Sequence, residues 1–141
     1  MKTKSLSRSA AVVAVLAVIL AGCSSTPSSP LARFDEEQTA EDALPEAAGD
    51  HLSVDATSVR FLWSDDDLSA YAVLSEDGLP CLVMFSERQP SGIEGCGAQL
   101  PTVMTIGGRT QYALVGDRDS DVELLNGSGG WQKLADNFYR D

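Results

Sequence analysis

Three aspartates alternate along one short stretch of the chain, at Asp117, Asp119 and Asp121. This is the spacing of the first three ligands of a calcium-binding loop, in which carboxylate oxygens suit the hard Ca²⁺ ion. That loop also requires glycine at its sixth position and glutamate at its twelfth, where this chain has Val122 and Ser128. We therefore predict an ordinary solvated loop, with a weak calcium site of another geometry at the three aspartates as the alternative.

Other groups with catalytic chemistry are isolated along the chain. Asp65, Asp66 and Asp67 offer the carboxylate types used in glycoside hydrolysis, but no periodicity selects two of them as partners. His51 is the only histidine and no nucleophile motif accompanies it, so neither a triad nor a histidine metal site is expected. The sequence predicts that the protein is not an enzyme and that it uses no cofactor.

Cys23 stands at the end of an export signal. The first nine residues carry three basic side chains and no acid, and residues 10–20 are wholly apolar. This run is shorter than the roughly 20 apolar residues that cross a membrane. Leu20-Ala21-Gly22-Cys23 resembles the bacterial lipobox, in which the cysteine thiol receives a diacylglycerol and becomes the first residue after cleavage. We predict a signal peptide over residues 1–22 and lipid attachment at Cys23, with an incidental cysteine beside an ordinary cleavage site as the alternative.

The two remaining cysteines, Cys81 and Cys96, form an even pair, which in an exported protein indicates a disulfide. If the chain turns back on itself about a centre between Arg88 and Gln89, Cys81 lies directly opposite Cys96 on an antiparallel strand. Such cross-strand neighbours have Cα atoms about 4.5 Å apart at a non-hydrogen-bonded position, which a disulfide can span. We predict this bridge.

The charge balance limits the partners of the protein. Signal cleavage would remove three of the ten basic residues and none of the 21 acidic ones, which takes the formal net charge from −11 to −14. A surface this acidic repels phosphate backbones, so we expect no nucleic-acid binding. It also repels anionic headgroups, so we expect the diacylglycerol alone to make the contact with the membrane. Strong acidity can also attract a cationic protein partner. Nothing in the sequence indicates oligomerisation.

Composition divides the mature chain into a tether and one domain. Residues 23–34 begin with a Ser/Pro-rich stretch typical of an extended spacer, and residues 35–141 are predicted to form a single small domain. Thr39 to Asp42 fits a helix-capping signature, which predicts a short N-terminal helix that ends near Pro45.

The rest of the domain has the patterns of strands and turns. Residues 68–74 and 81–85 flank the turn dipeptide Asp77-Gly78, and the second run is apolar throughout, as in a central strand covered on both faces. Gly107-Gly108 predicts a two-residue hairpin turn with Arg109 opposite Ile106. Further strands are expected within residues 59–64, 93–96, 102–106, 110–115 and 131–140, and loops at 116–121 and 126–130.

The predicted fold class is therefore mainly β (α+β). We expect a small antiparallel sheet of about seven strands, with the short N-terminal helix against one side and one disulfide.

The order of these parts resembles a group of small uncharacterised lipoproteins from actinobacteria. The resemblance consists of the lipobox signal followed by "QTAEDALP" at Gln38–Pro45, "DATSVRFL" at Asp55–Leu62, "CLV" at Cys81–Val83, "GC" at Gly95-Cys96, and a terminal pattern of Gly130, Trp131, Leu134, Asp136 and Asn137. It implies export, paired cysteines and a compact domain. It supplies no catalytic residues.

The predicted function is that of an exported domain, lipid-anchored on the extracytoplasmic face of the cell membrane, with a non-catalytic binding or structural role. The alternative is an inhibitor-like or sensor-like module. Such a module would capture a cationic envelope protein, for example a lysozyme-type wall hydrolase, through acidic loops.

Overall fold

The computed structural model describes residues 29–127 and 129–141. It confirms the mainly β class, with two antiparallel sheets of four strands each in place of one sheet of about seven. The first sheet has the order β1-β2-β3-β4 and the second the order β5-β6-β8-β7. The strands are β1 Arg60–Ser64, β2 Leu68–Leu74, β3 Pro80–Ser86, β4 Gln89–Cys96, β5 Thr102–Ile106, β6 Thr110–Leu114, β7 Gln132–Ala135 and β8 Phe138–Arg140.

The sheets pack face to face and each has a second cover on its outer face. Between them lies the main core, which includes Leu82, Leu114 and Phe138, all fully buried. The outer face of the first sheet is covered by the N-terminal segment, and that of the second by the helix α1, Asp119–Asn126. Strand β3 is buried on both faces, as its continuous apolar sequence predicts.

The disulfide joins Cys81 and Cys96 on neighbouring strands, as predicted, with 4.0 Å between their Cα atoms. The turn itself lies one residue earlier than expected, because Ser86 pairs with Gln89. A shift in register between Met84 and Ser86 then restores the predicted pairing at the cysteines. Gly92 makes this bulge possible, since its φ is +80° and a Cβ there would overlap the ring of Phe85.

The hairpin between β5 and β6 differs from its predicted register by one residue. Gly107 and Gly108 both have positive φ, as a tight hairpin turn requires. Ile106, however, pairs with Thr110, and Arg109 is left as an extra residue in the loop. The prediction that Arg109 lies opposite Ile106 is therefore wrong, because the glycine turn is followed by an unpaired residue that period-two patterning does not reveal.

The N-terminal segment belongs to the domain from Leu31 onward. Leu31 is 0% exposed and lies between the two sheets, so the domain begins before the predicted boundary at residue 35. The expected N-terminal helix is a set of short 3₁₀ turns, at Ala32–Asp35, Ala40–Asp42, Glu46–His51 and Ala56–Ser58. The capping interaction is present, because the Thr39 N–H donates to the Asp42 carboxylate at 2.6 Å. Within the described part of the chain, none of the helices has the length and apolarity needed to cross a membrane.

The α-helix lies where the sequence predicts a loop. α1 begins directly after Arg118, and Asp119 and Asp121 in its first turn suit the positive end of the helix dipole. Its apolar side chains Val122 and Leu125 pack beside Val115. Short polar residues are poor formers of helix interiors, so the sequence of this stretch favours a loop, and packing against the second sheet overrides it.

Side chains from the N-terminal segment complete the open edge of β1. The Phe61 N–H donates to Asp42 at 2.7 Å, and the Phe61 carbonyl accepts from Arg33 at 2.8 Å. Gln38 donates to the carbonyl of Val59, the residue before the strand. Side chains therefore supply the hydrogen bonds that a further strand would otherwise make to the outer edge of β1.

Arg60 points into this junction and is only 5% exposed. Its guanidinium donates to main-chain carbonyls on both sides of the junction. Those carbonyls belong to Arg33, Phe34, Glu36, Thr57 and Val59. One side chain therefore fixes the N-terminal segment to the first sheet.

We expect reduction of the Cys81–Cys96 bridge to lower the melting temperature. Closing a loop of about 16 residues stabilises a fold by about 3 kcal/mol in the chain-entropy model, which corresponds to roughly 10 °C or more in a domain of this size. Calorimetry with and without reductant measures the effect, and the double variant Cys81→Ala/Cys96→Ala should not respond to reductant. Two free thiols at Cys81 and Cys96 in protein purified without reductant would contradict the prediction.

We expect the Asp42 carboxylate to stabilise the fold above its ordinary pKa of 3.8 and to lose this effect in acid. Burial alone would raise the pKa of Asp42, but hydrogen bonds from Thr39 and Phe61, with Arg60 nearby, lower it overall. A lowered pKa in the folded state contributes stability that disappears as the pH falls through it.

Asp42→Asn should therefore cost about 1–3 kcal/mol of unfolding free energy at pH 7, with a smaller difference from wild type below about pH 4. Urea unfolding at several pH values measures this difference. Asp66→Asn, which changes an exposed aspartate, is the matched control and should have little effect. If the difference in unfolding free energy between wild type and Asp42→Asn does not change with pH, the Asp42 carboxylate does not have this role.

Candidate functional site

Among the described residues, the three aspartates of the predicted calcium candidate do not converge as a group of metal ligands. Asp117 accepts hydrogen bonds from the Ala32 N–H at 2.6 Å and from the Asn137 side chain at 2.8 Å. Asp119 is exposed in the first turn of α1, and Asp121 is buried. The carboxylates therefore have different surroundings. Cys23, the predicted site of lipid attachment, lies outside the described residues.

Asp121 is held by an ion pair with Arg118, the residue directly before its helix. The Arg118 guanidinium donates to both of its oxygens, at 3.0 and 3.2 Å. Gly116 lies against the same carboxylate, where a Cβ would collide with it. Since its oxygens are used by Arg118, Asp121 has a structural role at the start of α1.

Among the described residues, the potential metal ligands that converge are Cys81, Glu94 and Cys96. Both sulfurs are joined in the disulfide, so neither is available as a thiolate. The Glu94 carboxylate lies 3.0 Å from the Cys96 Sγ. This group is a cross-link between β3 and β4 that is buried at Cys81 and exposed at Cys96.

The acidic residues of two hairpin turns meet at one end of the first sheet. The turn after β1 supplies Asp65, Asp66 and Asp67, and the turn after β3 supplies Glu87; together they border a depression of about 250 Å³. Leu68, Phe85, Pro45 and Pro90 also line this depression. We call it the acidic end.

Within the acidic end, Asp65 has a structural role. Its side chain accepts from the N–H groups of Asp67 and Leu68, at 2.9 and 2.8 Å, and so closes the turn. Asp66, Asp67 and Glu87 are exposed. The surface therefore presents three carboxylates around a partly apolar depression.

A second cavity, of about 690 Å³, opens where the predicted tether meets the domain. Ser29 and Pro30 line it together with Leu79 from the turn between β2 and β3. Its charged lining residues are Asp35, Asp117, Arg118 and Asp121. We call it the tether-end cavity. The sequence did not reveal it, because its walls come from four segments that are far apart along the chain.

The candidate His51 and two further aspartates, Asp55 and Asp136, lie outside these clusters. His51 is exposed at the end of a 3₁₀ turn. The Thr57 hydroxyl and N–H, which both donate to Asp55, hold the pKa of Asp55 below its ordinary value. The Lys133 ammonium, which donates to Asp136 at 2.7 Å, likewise lowers the pKa of Asp136. A lowered pKa keeps a carboxyl group ionised and unsuited to donate a proton at neutral pH.

Comparison of the chain with family models, with curated proteins and with solved structures gave no match.

Proposed function

We propose that the protein is an exported domain of the bacterial cell envelope, anchored by a diacylglycerol on Cys23, whose role is binding or structural and not catalytic. The disulfide is the observation that carries this proposal. Cys81 and Cys96 are bridged, so Cys23, directly behind the export signal, is the one cysteine of the chain outside the bridge. Disulfides form in exported proteins and are rare in the cytosol.

The start of the domain also supports an anchor at this position. Leu31 is buried between the sheets, so the domain begins eight residues after Cys23. An extended Ser/Pro-rich spacer of that length spans about 25 Å, at about 3.1 Å per residue. This is long enough to hold a domain clear of lipid headgroups.

The tether-end cavity supports a binding role. Its volume of about 690 Å³ is within the range of about 300–1,000 Å³ typical of small-molecule sites. Its lining combines apolar side chains with the carboxylates of Asp35, Asp117 and Asp121. Hydrogen bonds within the chain satisfy Asp117 and Asp121, which leaves the exposed Asp35 as the carboxylate best able to meet a ligand.

We expect Cys23→Ala to abolish fatty-acid incorporation and to leave the precursor with its signal peptide. The thiol is the only group at the cleavage site that can form the thioether. Metabolic labelling with an alkyne fatty acid, followed by intact-mass measurement, tests this. Ser24→Ala, which alters the neighbouring residue and keeps the thiol, should be labelled and processed normally. Unchanged labelling of Cys23→Ala would refute the anchor.

The acidic end supports a second candidate function, capture of a cationic envelope protein. Asp66, Asp67 and Glu87 are exposed around apolar side chains. A lysine or arginine can place its charge against these carboxylates and its methylene groups on the apolar floor. The turns after β1 and after β3 form the acidic end, whereas the turn between β2 and β3 lines the tether-end cavity. These turns lie at opposite ends of the first sheet, so the two surfaces are separate.

We expect a lysozyme-type hydrolase, used as a cationic probe, to bind the full mature chain at low salt and to dissociate as ionic strength rises. Asp66→Asn/Glu87→Gln should weaken binding about tenfold, by loss of about 1.4 kcal/mol of attraction. Asp119→Asn/Glu76→Gln removes the same charge elsewhere and is the matched control. Equal affinity of the two variants would exclude the acidic end, and lack of binding at low salt would exclude this function.

A further inference from the structure

The two sheets have four edge strands, and three of them carry a feature that blocks further pairing. Side chains of the N-terminal segment hydrogen-bond the edge of β1. Strand β4 contains Pro90 and a bulge, and β7 contains Lys133 and a shift in register. Proline, lysine and bulges are the usual means by which edge strands avoid pairing with other chains.

Strand β5 has none of these features. Its sequence, TVMTI, has no charge and no proline, and all five of its residues pair with β6 without a shift in register. Its composition of β-branched residues favours an extended strand. Val103 is 46% exposed, which makes it one of the few large apolar side chains on the surface.

The main-chain groups on the open side of β5 can be assigned from the neighbouring strands. The Asp141 N–H donates to the Gln111 carbonyl at 3.0 Å, so the main-chain groups of Gln111 face β8. Thr105 lies opposite Gln111 and therefore directs its own N–H and carbonyl away from β6. Because main-chain groups alternate in direction along a strand, the N–H and carbonyl of Val103 also point away from β6. The described part of the chain supplies no partner for these four groups.

Charge along the sequence indicates what can approach this edge. Residues 95–108 contain no charged side chain, which is the longest such stretch after Cys23 in a chain of formal net charge −11. Two copies of so acidic a protein repel each other over most of their surfaces. The charge-free strip around β5 is where the repulsion is least.

We propose that β5 pairs with β5 of a second copy of this chain, antiparallel and about a twofold axis at Met104, to give a continuous eight-stranded sheet. In this register Val103 of each copy lies opposite Thr105 of the other copy. The N–H and carbonyl of both residues are then hydrogen-bonded, so none of the four open main-chain groups is left unpaired. A register centred on Val103 or on Thr105 pairs only half of them.

Charge also favours a second copy at the ends of β5. In antiparallel pairing, the turn that carries Arg109 lies on the same side as the segment that precedes β5 in the second copy, which includes Gln99. Gln99 lines the tether-end cavity together with Asp35 and Asp117. The charged lining of that cavity is three aspartates and Arg118, so the Arg109 turn of each copy lies on the side of a net negative surface of the other copy, which favours pairing of two copies.

Cross-linking in the full chain tests the register. Met104→Cys places two thiols opposite each other at the twofold axis, at a non-hydrogen-bonded position where Cα atoms are about 4.5 Å apart. We expect a disulfide-linked dimer on non-reducing gels. Leu124→Cys, at a residue that is 67% exposed on α1, measures random collision. Equal cross-linking of the two variants would overturn the proposal.

Disruption of the edge tests the same contact without added cysteines. Light scattering of the purified mature chain should give the mass of a dimer. Val103→Lys and Thr105→Pro should each weaken dimerisation about a hundredfold, because one adds a charge and the other removes an outward N–H. Leu124→Lys makes the same chemical change on α1 and should leave the dimer intact. Urea unfolding should show that Val103→Lys folds normally.

Two results would contradict the dimer: a monomeric wild-type chain, or a dimer that persists in both Val103→Lys and Thr105→Pro. Neither result bears on the lipid anchor, since the contact lies within the folded domain.

Discussion

The structure depends on one buried charge, the guanidinium of Arg60. Guanidinium remains ionised in proteins, and a buried charge is tolerated only when its donors are hydrogen-bonded. Here main-chain carbonyls from two segments accept those bonds, three from the stretch that follows Leu31 and two from the stretch before β1. If the N-terminal segment detached, the charge would lose three of these partners. The segment is therefore held in place and Leu31 stays between the sheets, so the proposed tether would join the domain at its core.

The same segment explains why the two sheets differ at their edges. Asp42 and Arg33 bond the N–H and carbonyl of Phe61, so β1 ends the first sheet with no open backbone groups at that residue. No segment of the described chain lies along β5 in this way. The residues that cover β1 all precede it along the chain and pack against the first sheet. Among the described residues, β5 therefore ends the second sheet with its outward main-chain groups open.

Much of the fold could be predicted because its signals are local. Strands β2 and β3 follow from an apolar run on either side of Asp77-Gly78, and the cysteines fix the register of β4. What could not be predicted depends on distant contacts. Arg60 has the sequence position of an ordinary strand residue, and its carbonyl partners come from up to 27 residues away. The three aspartates alternate as if on an extended chain, but α1 begins at Asp119, and a helix turns successive side chains by about 100°. The tether-end cavity has no sequence signal, since four separate segments form it.

Electrostatics gives a reason for the length of the proposed tether. An acidic domain is repelled by anionic headgroups, and this repulsion falls off over a Debye length of about 8 Å at physiological ionic strength. The spacer of about 25 Å is several times longer, so most of the repulsion is screened when the spacer is extended. A diacyl anchor needs no basic residues beside it, because its affinity comes from buried methylene groups, at about 0.8 kcal/mol each. The acidic end is lined by the opposite turns of the first sheet from those that line the tether-end cavity, so in the proposed anchored arrangement it is the surface left open to a cationic partner.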